Sequence, residues 1–305
     1  MNIYYNKKYN INLGLFAYLH PFDGKKFKQV FNEIKNLDSI SIKSPAKPIA
    51  KEEINNFVDA SLERWLPQKK YILQALEVPS LPLIPYSFID NRILSPMRWG
   101  VAGTLAASRD ALQGNRCWNM AGGYHHASRA SSEGFCIYND IGITVDILMR
   151  EKVLDPNSRI LIIDIDAHHG NGNALTFMNS KNVTILDIYN NNVYPTTANT
   201  KARVNIKLPL PIGTNADFYL SKLNDGLAQL KEAFDIAFVV AGTDVVSSDP
   251  LGGLNLTVKD CIERDVLVMN KLLAISTPCV FLGGGGYSKD SAQAIIGSLK
   301  VLYKL

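Results

Sequence analysis

The chain predicts an α/β protein, a parallel sheet with helices on both faces in a single domain, and three observations carry that expectation. Strand-like and helix-like segments alternate through the second half. The strand candidates there are apolar at almost every position, so both faces of each must be covered. No tight hairpin joins successive strand candidates, which leaves crossover connections.

Length and composition agree. At 305 residues the chain can bury one large core, and residues 1–305 are expected to form one catalytic domain. The net charge is +4, and the basic residues gather only in doublets such as Lys7-Lys8, Lys25-Lys26 and Lys69-Lys70. That describes a solvated surface, so no direct nucleic-acid partner is expected. Cys117, Cys136, Cys261 and Cys279 are far apart and form no C-x-x-C pair, as reduced buried thiols would. No apolar run reaches the length of a membrane span, and residues 1–10 lack the apolar stretch of a secretion signal, so a cytoplasmic setting is expected. No feature of the sequence speaks to oligomeric state.

In chain order, Ile3–Tyr5 is a short strand candidate. An amphipathic helix is expected from Gly24 to Leu37, a loop from Ser39 to Pro48, and a second helical pattern from Lys51 to Trp65. Prolines at 79, 82, 85 and 96 mark Leu76–Pro96 as a surface loop. Met97–Leu112 has small and apolar residues at helical spacing and ends at Gly114 and Asn115. Arg116–Met120 is a strand running into Ala-Gly-Gly-Tyr-His-His-Ala. Asn139 or Asp140 caps a helix to about Val153, and Ile160–Ile163 is a buried strand. Val183–Ile188 is a strand, Val204–Leu208 a weaker one, and Asp217–Ala233 a helix. Ile236–Val240 and Cys279–Leu282 are strands flanking a helix over Val258–Ile275, and a last helix closes the chain. In open parallel sheets ligands bind beyond the carboxyl ends of the strands, and every polar cluster falls there.

The sharpest cluster is Asp164-Ile-Asp-Ala-His-His-Gly-Asn-Gly172. Residues two apart on a strand share a face, so Asp166 and His168 can turn an oxygen and a nitrogen toward one ion. Buried carboxylates beside histidines are tolerable mainly when a cation lies between them. Asp244, just past another strand end, completes an O, N, O set that leaves a position open for water or substrate. Such ligands suit zinc, and also ferrous iron or cobalt. Two carboxylates neutralise most of a divalent charge, so a separate base is needed. His125 and His126 can supply it, one imidazole held by a carboxylate such as Asp164. His169 reads as a supporting residue. Tyr287 follows four glycines, which clear side chains from around it and let the backbone move, and its phenol can donate to an oxyanion. The run lacks the lysine and serine or threonine that end a phosphate-binding loop.

These residues resemble the histone deacetylase family, most of all its class IV branch. The matching segments are HPFDGKKF, GGYHHA, GFCIYNDI, DIDAHHGNG, DIYNNNVYP, AGTDVVSSDPLGGL and GGGGY, in order across nearly the whole chain. The resemblance implies the arginase/deacetylase fold and zinc-dependent cleavage of the amide of an acyl-lysine side chain in a protein or peptide. Carried over by position, it implies Asp166, His168 and Asp244 as metal ligands, His125 and His126 as the proton-handling pair, and Tyr287 as the oxyanion donor. Gly134, Phe135 and Tyr194 match positions that wall the acyl-lysine tunnel. The family's structural monovalent cation, K+, would lie near Asp164 and Asp187, where Asp187 replaces a smaller residue.

Two departures matter. Asn171 stands where several branches carry an Asp, which implies a lower pKa for His126, and Lys25 or Lys26 stands where others carry an arginine lining an exit channel. Class IV is associated with removal of long fatty acyl groups as well as acetyl, so long-chain deacylation is one expected outcome. The rival readings are an amidohydrolase of small acetylated amines such as acetylpolyamines, and a non-catalytic acyl-lysine binder.

Overall fold

The computed structural model describes residues 1–11, 24–38, 40–79 and 83–304. Among the described residues, eight strands form one sheet: β1 Asn2–Tyr4, β2 Ser41–Lys43, β3 Cys117–Asn119, β4 Ile160–Asp164, β5 Val183–Asn190, β6 Ile206–Leu210, β7 Ile236–Val240 and β8 Cys279–Leu282. Their order is β2-β1-β3-β8-β7-β4-β5-β6, and every pairing is parallel, as expected.

Both faces of the sheet are buried, which is why the central strands read as unbroken apolar runs. Along β4, Leu161 and Ile163 enter one core while Ile160 and Ile162 enter the other; along β7, Ala237 and Val239 oppose Ile236, Phe238 and Val240 in the same way. At the edge, β6 alternates instead: Lys207 and Pro209 are exposed, and a proline is tolerated there because an edge strand has unpaired amides. The chain winds outward from β4 to β5 and β6, then returns to place β7 on the other side of β4. The sheet's direction of winding therefore reverses between β4 and β7, the position where a crevice opens above the strand ends.

Several expectations need correction. The span Ser39–Pro48 is not all loop, since Ser41–Lys43 pairs with β1; Ser39 itself lies outside the described residues. The helix expected over Lys51–Trp65 is two helices, Lys51–Phe57 and Ala60–Trp65, because Val58 and Asp59 are extended. Leu76–Pro96 is largely helical: Tyr86–Ile89 is α-helical, Asp90–Leu94 is a π-turn, and Ser95–Ala111 follows without a break. The prolines misled because two of them sit where a helix accommodates them. Pro85 caps the first helix, where a missing N–H costs nothing, and Pro96 directly follows the π-turn of the unbroken helical run, in which Ser95 N bonds Asp90 O. Pro82 and the His20–Asp23 part of HPFDGKKF lie outside the described residues. Short helices over Lys69–Ala75, Asn171–Thr176 and Ala198–Arg203 had no expectation attached. All four cysteines are buried and free.

The narrow strands β1 and β2 are held by one carboxylate. Asp110, on the Ser95–Ala111 helix, accepts from Asn2 Nδ2 at 2.8 Å, Tyr4 Oη at 2.9 Å and Lys43 Nζ at 2.6 Å. Burial raises its pKa, but the bonds from Lys43, Tyr4 and Asn2 outweigh that and hold it below the ordinary 3.8. A depressed folded pKa contributes stability above the unfolded value and loses it as pH falls through the folded one. Asp110→Asn is therefore expected to lower the urea midpoint at pH 7, with the gap to wild type closing below about pH 4. A gap that is constant from pH 7 to pH 3 would count against this reading.

Candidate functional site

The five adjacent strands β3, β8, β7, β4 and β5 deliver the polar residues at their carboxyl ends. After β3 the chain turns through Gly122 and Gly123, both at positive φ (82° and 75°). Asp140 fixes that turn by accepting from the amides of Gly123 at 3.0 Å and Tyr124 at 2.8 Å, and from Thr104 Oγ1 at 2.7 Å. Asn139, not Asp140, caps the helix that follows. The turn presents His125 and His126 with ring centroids 4.1 Å apart.

The two imidazoles have different partners. His125 Nδ1 lies 2.8 Å from Asp164 Oδ2, as expected of a carboxylate-held histidine. Burial lowers the pKa of His125, but Asp164 and Asp166 outweigh burial and raise it to about 9. His126 Nδ1 faces the amide oxygen of Asn171 at 2.7 Å. Burial, reinforced by His125 and His168, holds His126 well below 6.5, and the Asn171 bond offsets only part of that. One imidazole thus keeps its proton while its neighbour is held neutral.

Asp166, His168 and Asp244 converge, with one donor atom from each lying within 4.8 Å of the others. His168 Nδ1 is 3.1 Å from Asp166 Oδ1 and 3.0 Å from Asp244 Oδ2. The remaining carboxylate oxygens are already engaged: Gly285 N donates to Asp166 Oδ2 at 2.8 Å and Ala167 N to Asp244 Oδ1 at 2.9 Å. Burial and repulsion from Asp166 push Asp244 up to about 6. His168 is driven well above 6.5, since the two carboxylates outweigh its burial. Two buried carboxylates facing one imidazole favour any cation that can replace the shared proton, so the donor set fits a divalent ion. Asp166 and Asp244 arrive from β4 and β7, the strands that flank the reversal of winding.

The glycine run before Tyr287 is pinned, which corrects the expectation that it lets the backbone move. Gly283 N and Gly284 N donate to the carbonyls of Ala121 and Gly122, each at 3.2 Å, and Thr243 N donates to Gly285 O at 3.1 Å. Lys26 Nζ donates to the carbonyls of Gly285 and Gly286 at 3.3 and 3.2 Å. The glycines are needed for close approach: a Cβ on Gly285 would meet Asp244 Oδ2 and Asp166 Oδ2, and one on Gly284 would lie 2.6 Å from Gly242 N. Asp249 orients the end of the run by accepting from the amides of Tyr287 at 2.7 Å and Ser288 at 3.2 Å. Burial, with the nearby carboxylates of Asp244 and Asp166, raises the Tyr287 phenol well above 10, so it stays a donor.

Two openings meet at these groups. Glu77, His126, Gly134, Phe135, His168, Val193, Tyr194, Leu251 and Tyr287 line one of them. The other encloses about 850 Å³, part of it open to solvent, and its walls include Tyr9, Ile11, Phe27, Leu76, Val78, Ile93, Met97 and Tyr124. Phe135 and Tyr287 line both and meet edge to face at 5.7 Å. Gly134 and Phe135 form the centre of a two-residue hairpin turn, both at positive φ (54° and 66°), closed by paired bonds between Glu133 and Cys136. Gly134 is packed so closely on His126 that a Cβ would lie 2.5 Å from its ring. Tyr194 meets the same ring edge to face at 5.1 Å.

Beneath the cluster, His169 Nδ1 is 2.6 Å from Asp187 Oδ2 and its Nε2 is 3.0 Å from Thr200 Oγ1. The other Asp187 oxygen is buried without a hydrogen-bond partner among the described residues. Asp187 and Asp166 repel Asp164, which burial already disfavours, and Asp164 rises to about 7 against the hold of His125. Arg264, fully buried, donates to the carbonyls of Ile165 at 2.9 Å and Gly242 at 2.6 Å while pairing with Asp265. Four residues that organise the site were not singled out in the sequence: Glu133, Asp249 and Arg264, and Asp140 in its role at the turn. Each lies far in sequence from the residues it holds, although Asp140 and Asp249 fall inside the segments GFCIYNDI and AGTDVVSSDPLGGL.

Residues 20–300 match the histone deacetylase domain. The chain is 31% identical to "Histone deacetylase 2" of Arabidopsis thaliana, over 99% of this chain and 78% of that protein. It is 33% identical to the acetoin utilization protein AcuC of Staphylococcus aureus over 62% of this chain, a match spanning about half (51%) of that protein's length. Its fold is like that of an acetylpolyamine aminohydrolase from Burkholderia pseudomallei, with a TM-score of 0.73, 17% identity and 98% of each chain covered.

Removing one member of a buried ion pair leaves the other uncompensated, at a cost of roughly 3–5 kcal/mol. Arg264→Leu is expected to destabilise the protein on that scale and to weaken metal retention, because the Ile165 and Gly242 carbonyls lose their common donor. Denaturant midpoints and metal content after dialysis check this; unchanged values would mean the carbonyls are held without the guanidinium.

Proposed function

The chain belongs to the histone deacetylase family, and on that premise we propose that it hydrolyses the amide of acyl-lysine side chains, using zinc held by Asp166, His168 and Asp244. The single observation carrying this reading is the convergence of those three donors within 4.8 Å where the two openings meet, beside a neutral imidazole and a protonated phenol. A divalent cation there supplies Lewis acidity, polarising an amide carbonyl and acidifying a water.

The chain's own groups do the rest. His126, held neutral, takes a proton from the attacking water at Nε2, because Nδ1 is occupied by Asn171. Tyr287 donates to the oxygen that becomes negative as the carbonyl carbon turns tetrahedral. His125, kept protonated by Asp164, stabilises the charge that develops and supplies a proton to the departing amine. Phe135, Gly134 and Tyr194 wall the approach and exclude water. Asp187, with one oxygen unpartnered among the described residues, and Asp164 would hold a monovalent cation such as K+.

Within the family, Asn171, Asp187 and Lys26 fit the class IV branch. Long-chain deacylation is favoured by a specific observation: the second opening is walled mainly by apolar side chains and reaches His125, His126 and Tyr287. Small acetylated amines have Glu77 in their favour, a carboxylate in the other opening.

Purified protein should therefore be tested on lysine peptides carrying acetyl to myristoyl groups and on N-acetylated polyamines, with and without chelator. Turnover is expected on acyl-lysine, abolished by chelator and restored by zinc, with Tyr287→Phe lowering kcat by about 10²–10³. Turnover on polyamines alone would replace the substrate class while keeping the chemistry. Binding of acyl-lysine without turnover, with metal present, would make the protein a binder.

A further inference from the structure

The hydrogen-bond chain behind His126 ends in a carboxylate that no motif marked. Glu133 immediately precedes the Gly134–Phe135 turn, and its Oε1 accepts from Asn171 Nδ2 at 2.7 Å. Asn171 Oδ1 in turn faces His126 Nδ1 at 2.7 Å. The Glu133 carboxylate also acts on the Tyr194 phenol, whose pKa it helps to raise, and Tyr194 packs against the His126 ring at 5.1 Å. Three side chains, Asn171, Glu133 and Tyr194, thus surround one imidazole.

The direction of every bond in this chain follows from one chemical fact. An amide can present either its oxygen or its NH2 to a neighbour, and a neutral imidazole can carry its proton on either nitrogen. A carboxylate only accepts. With Glu133 on one side, Asn171 must turn its NH2 toward Glu133 and its oxygen toward His126. His126 must then donate from Nδ1, which leaves the Nε2 lone pair free. Without the carboxylate, the amide can reverse, donate to Nδ1 and favour the Nε2–H tautomer, which cannot accept a proton at that atom.

We propose that Glu133 is a positioning residue that, through Asn171, fixes the tautomer of His126 and so keeps Nε2 available as a proton acceptor. The proposal rests on His126 acting as the base in the reading above. It also explains an amide at position 171: a carboxylate there would face Glu133, two acceptors with no proton between them.

The test uses the full chain loaded with zinc, which is diamagnetic. Long-range ¹⁵N–¹H correlation of the histidine rings reports which nitrogen of His126 is protonated, and acyl-lysine turnover reports kcat and KM. Wild type is expected to show the Nδ1–H form. Glu133→Gln, whose amide can reverse with Asn171, is expected to lose the pure Nδ1–H signature and about tenfold in kcat, with KM and zinc content unchanged. Asn171→Asp alone should also lose activity. The double variant Glu133→Gln/Asn171→Asp restores a single polarity, with the relocated carboxylate accepting from both sides, and should recover the Nδ1–H form and most of kcat. A merely structural glutamate would not be rescued by moving the carboxylate one residue along the chain of bonds. His126 remaining Nδ1–H in Glu133→Gln, or a double variant no better than Glu133→Gln, would overturn the proposal. Absence of turnover in wild type would sink the reading of the site but leave the tautomer measurement to decide the role of Glu133.

Discussion

A fully buried guanidinium underlies the site. Arg264 donates to the carbonyl of Ile165, between Asp164 and Asp166, and to that of Gly242, two residues before Asp244. Those carbonyls end the two central strands, where backbone pairing stops and the bond from Ala167 N to Asp244 also links the loops. Asp265 balances the charge and is itself bonded by Ser298 at 2.5 Å. A buried charge without such partners would cost more than folding could offset. Here the partners are also the strand ends, so satisfying the arginine and aligning the loops that carry Asp166 and Asp244 are the same event.

What Arg264 aligns from below is strained by like charge from above. Asp164, Asp166, Asp187 and Asp244 are all buried within one layer, and the pKa of Asp244 and Asp164 rises in response. Backbone amides and three histidines absorb part of this repulsion, and they do so with direction. On Asp164, Asp187 and Asp244 an amide takes one carboxylate oxygen, and on Asp166 amides reach both, from His168 and Gly285. The arrangement is therefore preorganised for an ion that would relieve its repulsion, which is the condition under which a metal adds to fold stability as well as to chemistry.

The sequence was most legible where one physical cause acted alone. Runs such as Ile160–Ile163 and Ile236–Val240 can only be strands buried on both faces, and their parallel pairing followed. Asp166, His168 and Asp244 could be read because ligand chemistry restricts residue type at strand ends. Legibility failed where two causes competed. Pro85 and Pro96 were read as breakers, though a proline at an N-cap or just after a π-turn is accommodated, and only the tertiary setting decides between those outcomes. The four glycines before Tyr287 suggested freedom, whereas close approach to Asp166, Asp244 and Gly242 demands them and hydrogen bonds remove the freedom. Arg264, Asp249 and Glu133 were silent because an isolated charged residue is normally a solvated one. Their partners lie 99, 38 and 38 residues away.

The arrangement of the two openings constrains how any substrate is read. Phe135 and Tyr287 line both and touch edge to face, so they divide the space at the level of the candidate ion. On the proposed reading, an amide polarised there would place its nitrogen side toward Glu77, Tyr194 and Val193 and its acyl side toward Phe27, Ile93, Met97 and Val78. The two sets share no residue beyond those at the partition and around His126. Selection of the amine and of the acyl group would then fall to different parts of the chain, so a change in one could leave the other intact.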